Sequence, residues 1–541
     1  MNSTFSNIDL LVLLIYLIAS LGIGLYASRR SDRNTEEYFL GGRSFGWFAI
    51  GLTLFATNIS SEHFIGLAGS GASRGLAVGQ FELMAIFILI LLGWVLAPIY
   101  LKSGVMTMPE FLEKRFDSKI RKIFAVLSIC IYLFTKISVT LFAGGVLFYK
   151  IFGINIYASV IVIVLITGLY SLIGGSKAVI RTNVFQAFVL IVGALILTIF
   201  GLIEVGGFSG LTQKLPADYF SMFKPLSDPD FPWTGILFGA PIIAFWYWCT
   251  DQYIVQRILG AKSLNDARRG SLLAAVLKIT PIFILVLPGL IATALFPEVK
   301  GDDAYPTLLA SSLLPVGLKG LVLAGLLAAI MSSLSSVFNI TASLYTNDIY
   351  KPRHPKAAEG ELVLVGRMAT TVIIFTAILC VPLVRTMDSQ IYIYLQSIQA
   401  YLGPPIAAVF IMGLCIKMVN SKGAVWGLLI GEFVGVTRIL TDMLVKGDIL
   451  NYSILHYYKS INFLHFAIIS FVISSFSVIA ISYFTSKENR IRKSIKGLSD
   501  LPGIWNLEFN LGKIKTIRET KTNFVLSAFI VLVILGLWSI W

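Results

Sequence analysis

Five neighbouring polar residues interrupt an apolar segment near the amino terminus. The segment reads LTLFATNISSEHFIGLAGSG, and its polar members are Asn58, Ser60, Ser61, Glu62 and His63. Such a break predicts an unwound helix whose free carbonyl and amide groups line a cavity, because lipid cannot satisfy them. A polar helix face packed against neighbouring helices is the alternative.

A second break of the same kind lies in AFWYWCTDQYIVQR, at Tyr247, Trp248, Thr250, Asp251 and Gln252. Paired breaks in the two halves of a membrane protein indicate inverted repeats with a binding site near the midplane. For Asp251 alone, a structural ion pair or a helix cap is as compatible with the sequence as a direct role.

Four serines crowd the segment MSSLSSVFN, at Ser332, Ser333, Ser335 and Ser336. Hydroxyls in membrane helices usually bond back to the carbonyl four residues earlier, and that alternative stays open here. Four hydroxyls beside unwound carbonyls would also supply the several oxygen ligands that a hard cation such as sodium requires.

Two opposite charges, Glu82 in QFELMAIF and Lys278 in AAVLKITPIF, lie within apolar segments. They could form a structural bridge, or they could bracket a polar ligand. The further donors, acceptors and walls of such a pocket would be Asn58, His63, Gln396, Phe81, Tyr247 and Trp248. Carboxylates accept hydroxyl protons and aromatic faces cover C–H groups, which favours a sugar. An amino acid substrate is not excluded by composition.

The composition shows which elements must position these residues. Of 541 residues, 56% are apolar and 13% charged, and the mean hydropathy is +0.83. A soluble domain carries about a quarter charged residues, so this chain is solvated by lipid. Continuous apolar runs favour helices over a porin barrel. We therefore attribute the net charge of +14 to the orientation of the helices in the membrane and not to nucleic-acid binding.

The apolar runs predict an all-α polytopic membrane protein with fourteen helices. We place them near 9–28, 46–70, 77–101, 120–150, 156–174, 181–204, 236–258, 270–296, 318–349, 364–386, 391–416, 421–445, 462–486 and 522–541. The predicted organisation is an extra helix and loop (1–45), a ten-helix core (46–416) with repeats 46–204 and 236–416, and three further helices (417–541).

Most of the 43 Lys and Arg residues fall in the odd-numbered connections. The positive-inside rule then puts both termini outside the cell, in a plasma membrane that we expect to be a bacterial inner membrane. The first helix lacks a basic n-region and is interpreted as retained. The basic segment 487–521 is expected to contact anionic lipid. The four cysteines lie in apolar runs and predict no loop disulfide.

With these residues in place, the chain resembles the sodium/solute symporter family and its sodium/glucose cotransporter subgroup. The resemblance rests on ATNISSEHFIGLAGSGA, WYWCTDQYIVQR, AYPTLL, MSSLSSVFN and QSIQAYLGPPIAAVF. It implies a LeuT-like fold of two inverted five-helix repeats, with one helix before them and three after.

The resemblance also implies a set of site residues. The sugar ligands would be Asn58, His63, Glu82, Tyr247, Trp248, Lys278 and Gln396. Tyr247 would be the inner gate beneath the sugar, and the outer gate would be Leu67, Phe81 and Tyr392. Sodium would bind the carbonyls of Ala56, Ile59 and Ala329 and the hydroxyls of Ser332 and Ser333.

Two positions depart from the family pattern. Asn183 stands where the family usually has an aspartate that serves a second sodium site, so we expect one sodium ion per sugar. Gln399 stands where glucose-selective members are expected to have threonine, and its longer amide could shift the preference among hexoses.

The resulting expectation is a sodium-driven hexose symporter for glucose or galactose, with sodium as the co-transported ion and lipid as its surroundings. The alternatives are a symporter for myo-inositol or another polyol, and a sugar-gated channel or sensor. An enzyme is disfavoured because the sequence shows no zinc-ligand spacing, nucleophile elbow or paired catalytic carboxylates.

Overall fold

A computed structural model describes residues 5–28, 34–384, 390–446, 453–486 and 517–540. The basic segment that we expect to contact lipid lies almost wholly outside these residues. Within these ranges, ten continuous helices are long and apolar enough to cross a membrane, and two shorter apolar helices, Trp47–Asn58 and Gly235–Thr250, accompany them. The described residues thus form a multi-pass helical membrane protein.

Joined across their short breaks and divided at Gly175, the helices of the described residues form fourteen segments, which correspond in order to the fourteen predicted helices. The first seven are α1 (Asn7–Ser28), α2 (Trp47–Asn58 and Ala68–Arg74), α3 (Gln80–Leu91 and Ala97–Ser103), α4 (Ser118–Ile131 and Ser138–Phe152), α5 and α6 (together Ile156–Val205) and α7 (Ala240–Phe245 and Gln252–Leu259). The last seven are α8 (Leu264–Leu277 and Leu287–Leu295), α9 (Leu318–Leu344), α10 (Glu359–Val384), α11 (Ile391–Cys415), α12 (Ser421–Lys446), α13 (Phe463–Thr485) and α14 (Ile517–Ile540).

Helices α5 and α6 are divided at Gly175, which has φ 51° and ψ −154°. This conformation favours glycine, and a Cβ atom there would lie 2.7 Å from the carbonyl oxygen of Tyr38. The turn therefore requires glycine twice, for its backbone angle and for the close approach of the segment Thr35–Leu40.

Helix α9 lies at the centre of the molecule. In its most apolar stretch of 18 residues 94% of the residues are buried, whereas only 22% are buried in the corresponding stretches of α1 and α14. It packs closely on α6, where a Cβ atom at Gly193 would lie 2.9 Å from the Leu321 carbonyl oxygen. Small residues let membrane helices approach in this way. The close packing holds the serines of α9 at a fixed depth.

Both predicted breaks are present. Helix α2 stops at Asn58, Ile59 is extended with φ −78° and ψ 122°, and the chain resumes through a π-helical turn, His63–Leu67. The first part of helix α7 continues from Phe245 into a π-helical turn, Trp246–Thr250, after which Asp251 is extended with φ −74° and ψ 123°. Each break frees backbone groups inside the protein and away from lipid.

The connection between α8 and α9 holds the start of α11 in place. The backbone N–H of Ile391 donates to Asp302 Oδ2 over 2.9 Å, and Gly69 of α2 lies against the same aspartate. Lys150 at the end of α4 forms an ion pair with Asp303. The ends of α2, α4 and α11 therefore meet at one short loop.

Among the cysteines whose side chains the structure describes, Cys130, Cys249 and Cys415 are free thiols.

Candidate functional site

A cavity opens beside the break of α2, with about 60 Å³ of space for the centres of water molecules. Seven of its lining residues are the predicted sugar ligands Asn58, His63, Glu82, Tyr247, Trp248, Lys278 and Gln396. These residues are spread over most of the chain, and the fold brings all seven to one cavity.

A buried ion pair between Lys278 of α8 and Glu82 of α3 forms the polar centre of this cavity. Lys278 Nζ also donates to Asn58 Oδ1 over 2.7 Å, and Asn58 Nδ2 donates to the Tyr247 hydroxyl over 3.1 Å. The hydroxyl of Tyr392 lies 3.5 Å from Glu82 Oε1. One connected network therefore joins α2, α3, α7, α8 and α11.

The bridge between Glu82 and Lys278 is thus real, and it also faces the cavity. The side chains are 3% and 1% exposed, so water screens them little. Such a pair, held beside an uncharged amide, presents both acceptors and donors to a polyhydroxyl ligand.

His63 and Trp248 complete the polar and aromatic lining. His63 Nε2 lies 3.9 Å from Glu82 Oε1, and His63 Nδ1 accepts from the Ser60 backbone N–H over 3.4 Å. Because Nδ1 is an acceptor, Nε2 carries the proton of the neutral ring and points toward the carboxylate. The indole of Trp248 lies 5.5 Å from Lys278 Nζ and forms a flat wall.

Two of the three predicted outer-gate residues, Phe81 and Tyr392, lie together over the cavity. Their ring centroids are 6.0 Å apart, and Phe81 also stacks on Phe463 of α13 at 6.3 Å. Leu67 is fully buried in the second half of α2 and does not line the cavity. Phe463 was not foreseen, because no local pattern indicates that α13 reaches the core.

The five predicted sodium ligands meet where α9 crosses the break of α2. The Ser332 hydroxyl donates to the carbonyl oxygens of Ala56 and Ala329 over 2.8 Å and 3.0 Å. The Ser333 hydroxyl donates to those of Thr57 and Ile59 over 3.1 Å and 3.2 Å. Two hydroxyls and four carbonyls in contact form an oxygen-only cluster without a carboxylate, the ligand type that suits a hard monovalent cation.

The other two serines follow the alternative interpretation. Ser335 and Ser336 donate back to the Ser332 carbonyl over 3.1 Å and 2.7 Å.

Asp251 forms both a structural ion pair and a helix cap, the two alternatives to a direct role. Its carboxylate lies 2.6 Å from Lys136 Nζ, accepts the Tyr132 hydroxyl, and caps the Tyr253 backbone N–H at 3.0 Å. The Lys136 ammonium faces the rings of Tyr253 and Tyr247 at 3.8 Å and 4.3 Å. This pair forms the floor of the cavity beneath Tyr247.

Two functional candidates, Lys136 and Arg257, were not singled out from the sequence, whereas Glu62 was named there as part of the α2 break. Lys136 and Glu62 both line the cavity, and Glu62 Oε2 accepts from Thr140 Oγ1 over 3.2 Å. Arg257 of α7 lies fully buried and donates to Ser336 Oγ over 2.7 Å. A charged residue inside an apolar segment is a functional candidate from the sequence alone, and Lys136 is such a residue.

The two positions that depart from the family pattern also lie near the site. Gln399 lines the cavity. The Asn183 amide donates to Thr57 Oγ1 and Ser336 Oγ over 3.3 Å and 3.0 Å, directly behind the oxygen cluster.

The chain is similar to known transport proteins over most of its length. It is 41% identical to sodium/glucose cotransporter 1 of Ovis aries, over 88% of this chain and 78% of that protein. It is 39% identical to sodium/myo-inositol cotransporter 2 of Bos taurus, over 89% and 77%.

Solved structures show the same fold. A sodium-coupled sialic acid symporter in an outward-open state superposes with a TM-score of 0.77 at 24% identity, covering 89% of this chain and 98% of that one. The nucleobase-cation-symport-1 transporter Mhp1 superposes with a TM-score of 0.55 at 13% identity, covering 83% and 95%. The fold is therefore the LeuT-like arrangement that the sequence predicts.

The family model described as the sodium:solute symporter family matches residues 38–431, and this chain belongs to that family.

Proposed function

We propose that this protein is a secondary active sodium:sugar symporter that takes up a hexose, glucose or galactose, by alternating access. The observation that carries the proposal is the position of the α2 break between two sites. Its backbone carbonyls at Ala56 and Ile59 belong to the oxygen cluster, while the side chains of Asn58 and His63 face the cavity. One short segment thus contributes to both the ion site and the sugar site.

The network around Glu82 and Lys278 provides the chemistry for a sugar. The carboxylate accepts hydroxyl protons, the ammonium donates to hydroxyl oxygens, and Trp248 covers a C–H face of the ring. Gln396 on α11 adds an amide to the cavity lining. A site built on such bonds rejects a ligand that leaves them unpaired.

Sodium would bind the cluster of Ser332, Ser333 and the α2 carbonyls, and its binding would fix the break in the shape that the sugar requires. The hydroxyls, which now donate to these carbonyls, would turn their lone pairs toward the ion. Coupling is reciprocal, so sugar must tighten sodium by the same factor.

One sodium ion per sugar supplies enough free energy for concentrative uptake. One ion moving down about 100 mV and a tenfold gradient releases about 3.7 kcal/mol, which supports about 500-fold accumulation. The buried Arg257 close to Asn183 supports this stoichiometry, because a second cation there would meet a positive charge.

Alternating access would use the two inverted repeats, 46–204 and 236–416, which we propose move relative to each other. Phe81 and Tyr392 would close one side of the cavity, and Tyr247 with the floor beneath it the other. We place the protein in a bacterial inner membrane, and the distribution of Lys and Arg supports both termini outside.

The decisive experiment is uptake by purified protein in sealed proteoliposomes. Labelled glucose, galactose and myo-inositol are supplied with a sodium gradient, with potassium in place of sodium, and with equal sodium on both sides. We expect hexose to accumulate only with the gradient. Accumulation of myo-inositol alone would assign the protein to polyols, sodium current without accumulation would make it a channel or sensor, and uptake in potassium without a proton gradient would contradict the proposal.

A further inference from the structure

Arg257 is a buried cation without a counter-ion among the residues that the structure describes. Its side chain is fully buried, and only Nη2 has a partner, the Ser336 hydroxyl at 2.7 Å. Nε and Nη1 donate to no group in the described part of the chain. A guanidinium stays protonated in proteins, and an unpaired buried charge is costly.

Asn183 lies on the other side of the same hydroxyl. Its Nδ2 donates to Ser336 Oγ over 3.0 Å and to Thr57 Oγ1 over 3.3 Å. A carboxylate at this position would face the Arg257 guanidinium across Ser336. The amide of Asn183 provides hydrogen bonds but no negative charge.

The groups without a partner here are both donors, Nε and Nη1 of Arg257, whereas the Asn183 amide already donates both of its hydrogens. Charge-assisted bonds from a guanidinium to an anion are the strongest way to satisfy such donors. We propose that a small monovalent anion, chloride under physiological conditions, binds at Nε and Nη1 of Arg257, beside Asn183, and balances the buried positive charge.

The anion would also influence the ion cluster. The Ser336 hydroxyl donates to the Ser332 carbonyl over 2.7 Å, and the Ser332 hydroxyl contacts the carbonyls of Ala56 and Ala329. Neutralising Arg257 lowers the repulsion on a cation held there, so chloride and sodium would tighten each other. This second step rests on the proposed function, whereas anion binding itself does not.

Binding is tested without any transport. Full-length protein in nanodiscs, at constant sodium and ionic strength, is titrated from gluconate into chloride while its thermal unfolding midpoint is measured. We expect the unfolding midpoint of the wild type to rise with chloride concentration and then to reach a plateau. The variant Asn183→Asp supplies a fixed charge, so its midpoint in gluconate should already be raised and its chloride response reduced at least tenfold.

Gln186→Glu is the matched control, because it adds a carboxylate to the same helix beside Tyr16 and leaves Asn183 in place. It should keep the chloride response. A wild type without a chloride response, or an Asn183→Asp variant that responds as the wild type does, overturns the proposal. Should N183D not fold, binding of radioactive chloride to the wild type decides, and absence of saturable binding that bromide displaces overturns it.

The coupling to sodium is measured separately, as the sodium concentration that gives half-maximal sugar uptake. We expect about a tenfold higher value in gluconate than in chloride for the wild type and no difference for Asn183→Asp. A thermal response to chloride in a protein that takes up no sugar would leave the anion site standing and contradict the proposed function alone.

Discussion

Lys136 and Asp251 form an ion pair, with Nζ and Oδ2 2.6 Å apart, inside a ring of aromatic side chains below the cavity. The two residues are 8% and 3% exposed. They join α4 to the break of α7, so the pair fixes the unwound segment that carries Tyr247 and Trp248.

Removal of one partner is expected to destabilise the protein strongly. In Lys136→Met the Asp251 carboxylate remains buried and unpaired, which costs about 3–5 kcal/mol. In the double variant Lys136→Met/Asp251→Asn no charge remains, and the introduced amide oxygen can still cap the Tyr253 backbone N–H, so most of the loss should be recovered. Thermal unfolding in nanodiscs measures both, and equal stability of the single and double variants would contradict this account.

Loss of the polar centre should weaken sugar binding. Gln396→Ala should leave the fold intact, whereas Glu82→Gln leaves the buried Lys278 ammonium unpaired and should also lower the stability. In Glu82→Gln the ion pair with Lys278 is lost, and in Gln396→Ala an amide that lines the cavity is lost. Each should raise the sugar KM by at least about tenfold, since an unmade hydrogen bond to a charged group costs about 1.5–3 kcal/mol. Sugar uptake against concentration measures this effect, and sodium-induced thermal stabilisation should persist. Wild-type uptake in both variants would place the sugar elsewhere.

Much of the site follows from the sequence because charge and hydroxyl groups inside membrane helices are rare and must be satisfied by protein. The two breaks, the Glu82 and Lys278 bridge and the cluster of Ser332 and Ser333 are all of this kind. The distances between them are set by packing that no local pattern encodes. Hence Leu67 lies outside the cavity lining, as one helical turn moves a side chain from the cavity to the core.

The less visible parts of the site depend on relationships between distant segments. Arg257 ends a stretch that is otherwise typical of a helix leaving the membrane, and nothing local indicates that it lies buried beside Ser336. Phe463 looks like any aromatic residue at a membrane surface. Its stacking on Phe81 depends on how α13 crosses the core, which is a tertiary property.

The hydroxyl of Ser333 should matter for sodium and that of Thr341 should not. Both lie buried on α9, but Ser333 reaches the carbonyls of Thr57 and Ile59 across the break, while Thr341 bonds back to Val337. We expect Ser333→Ala to raise the sodium concentration for half-maximal uptake at least about tenfold, because one ligand of a small set is lost. Thr341→Val is the matched control and should change it less than about twofold. Normal sodium affinity in Ser333→Ala would refute the placement of the ion.

The loop that holds α11 should give the protein a pH-dependent stability. Burial raises the pKa of Asp302 to about 6, although the Ile391 N–H and Lys150 favour the charged form. A raised pKa means that the folded state binds a proton more tightly than the unfolded chain does. The stabilisation is therefore full below the ordinary pKa near 4 and is lost as the pH rises through about 6.

Asp302→Asn removes this titration, and its amide oxygen can still accept from Ile391. Between pH 4 and pH 7, the free energy of unfolding of the variant should rise by about 2–3 kcal/mol relative to that of the wild type. One pKa unit corresponds to about 1.4 kcal/mol. Unfolding midpoints measured across this range test the difference. Asp303→Asn serves as the control, because Asp303 is exposed and pairs with Lys150 without capping α11, so its profile should stay parallel to that of the wild type. A parallel profile for Asp302→Asn would show that the buried carboxyl does not titrate in this range.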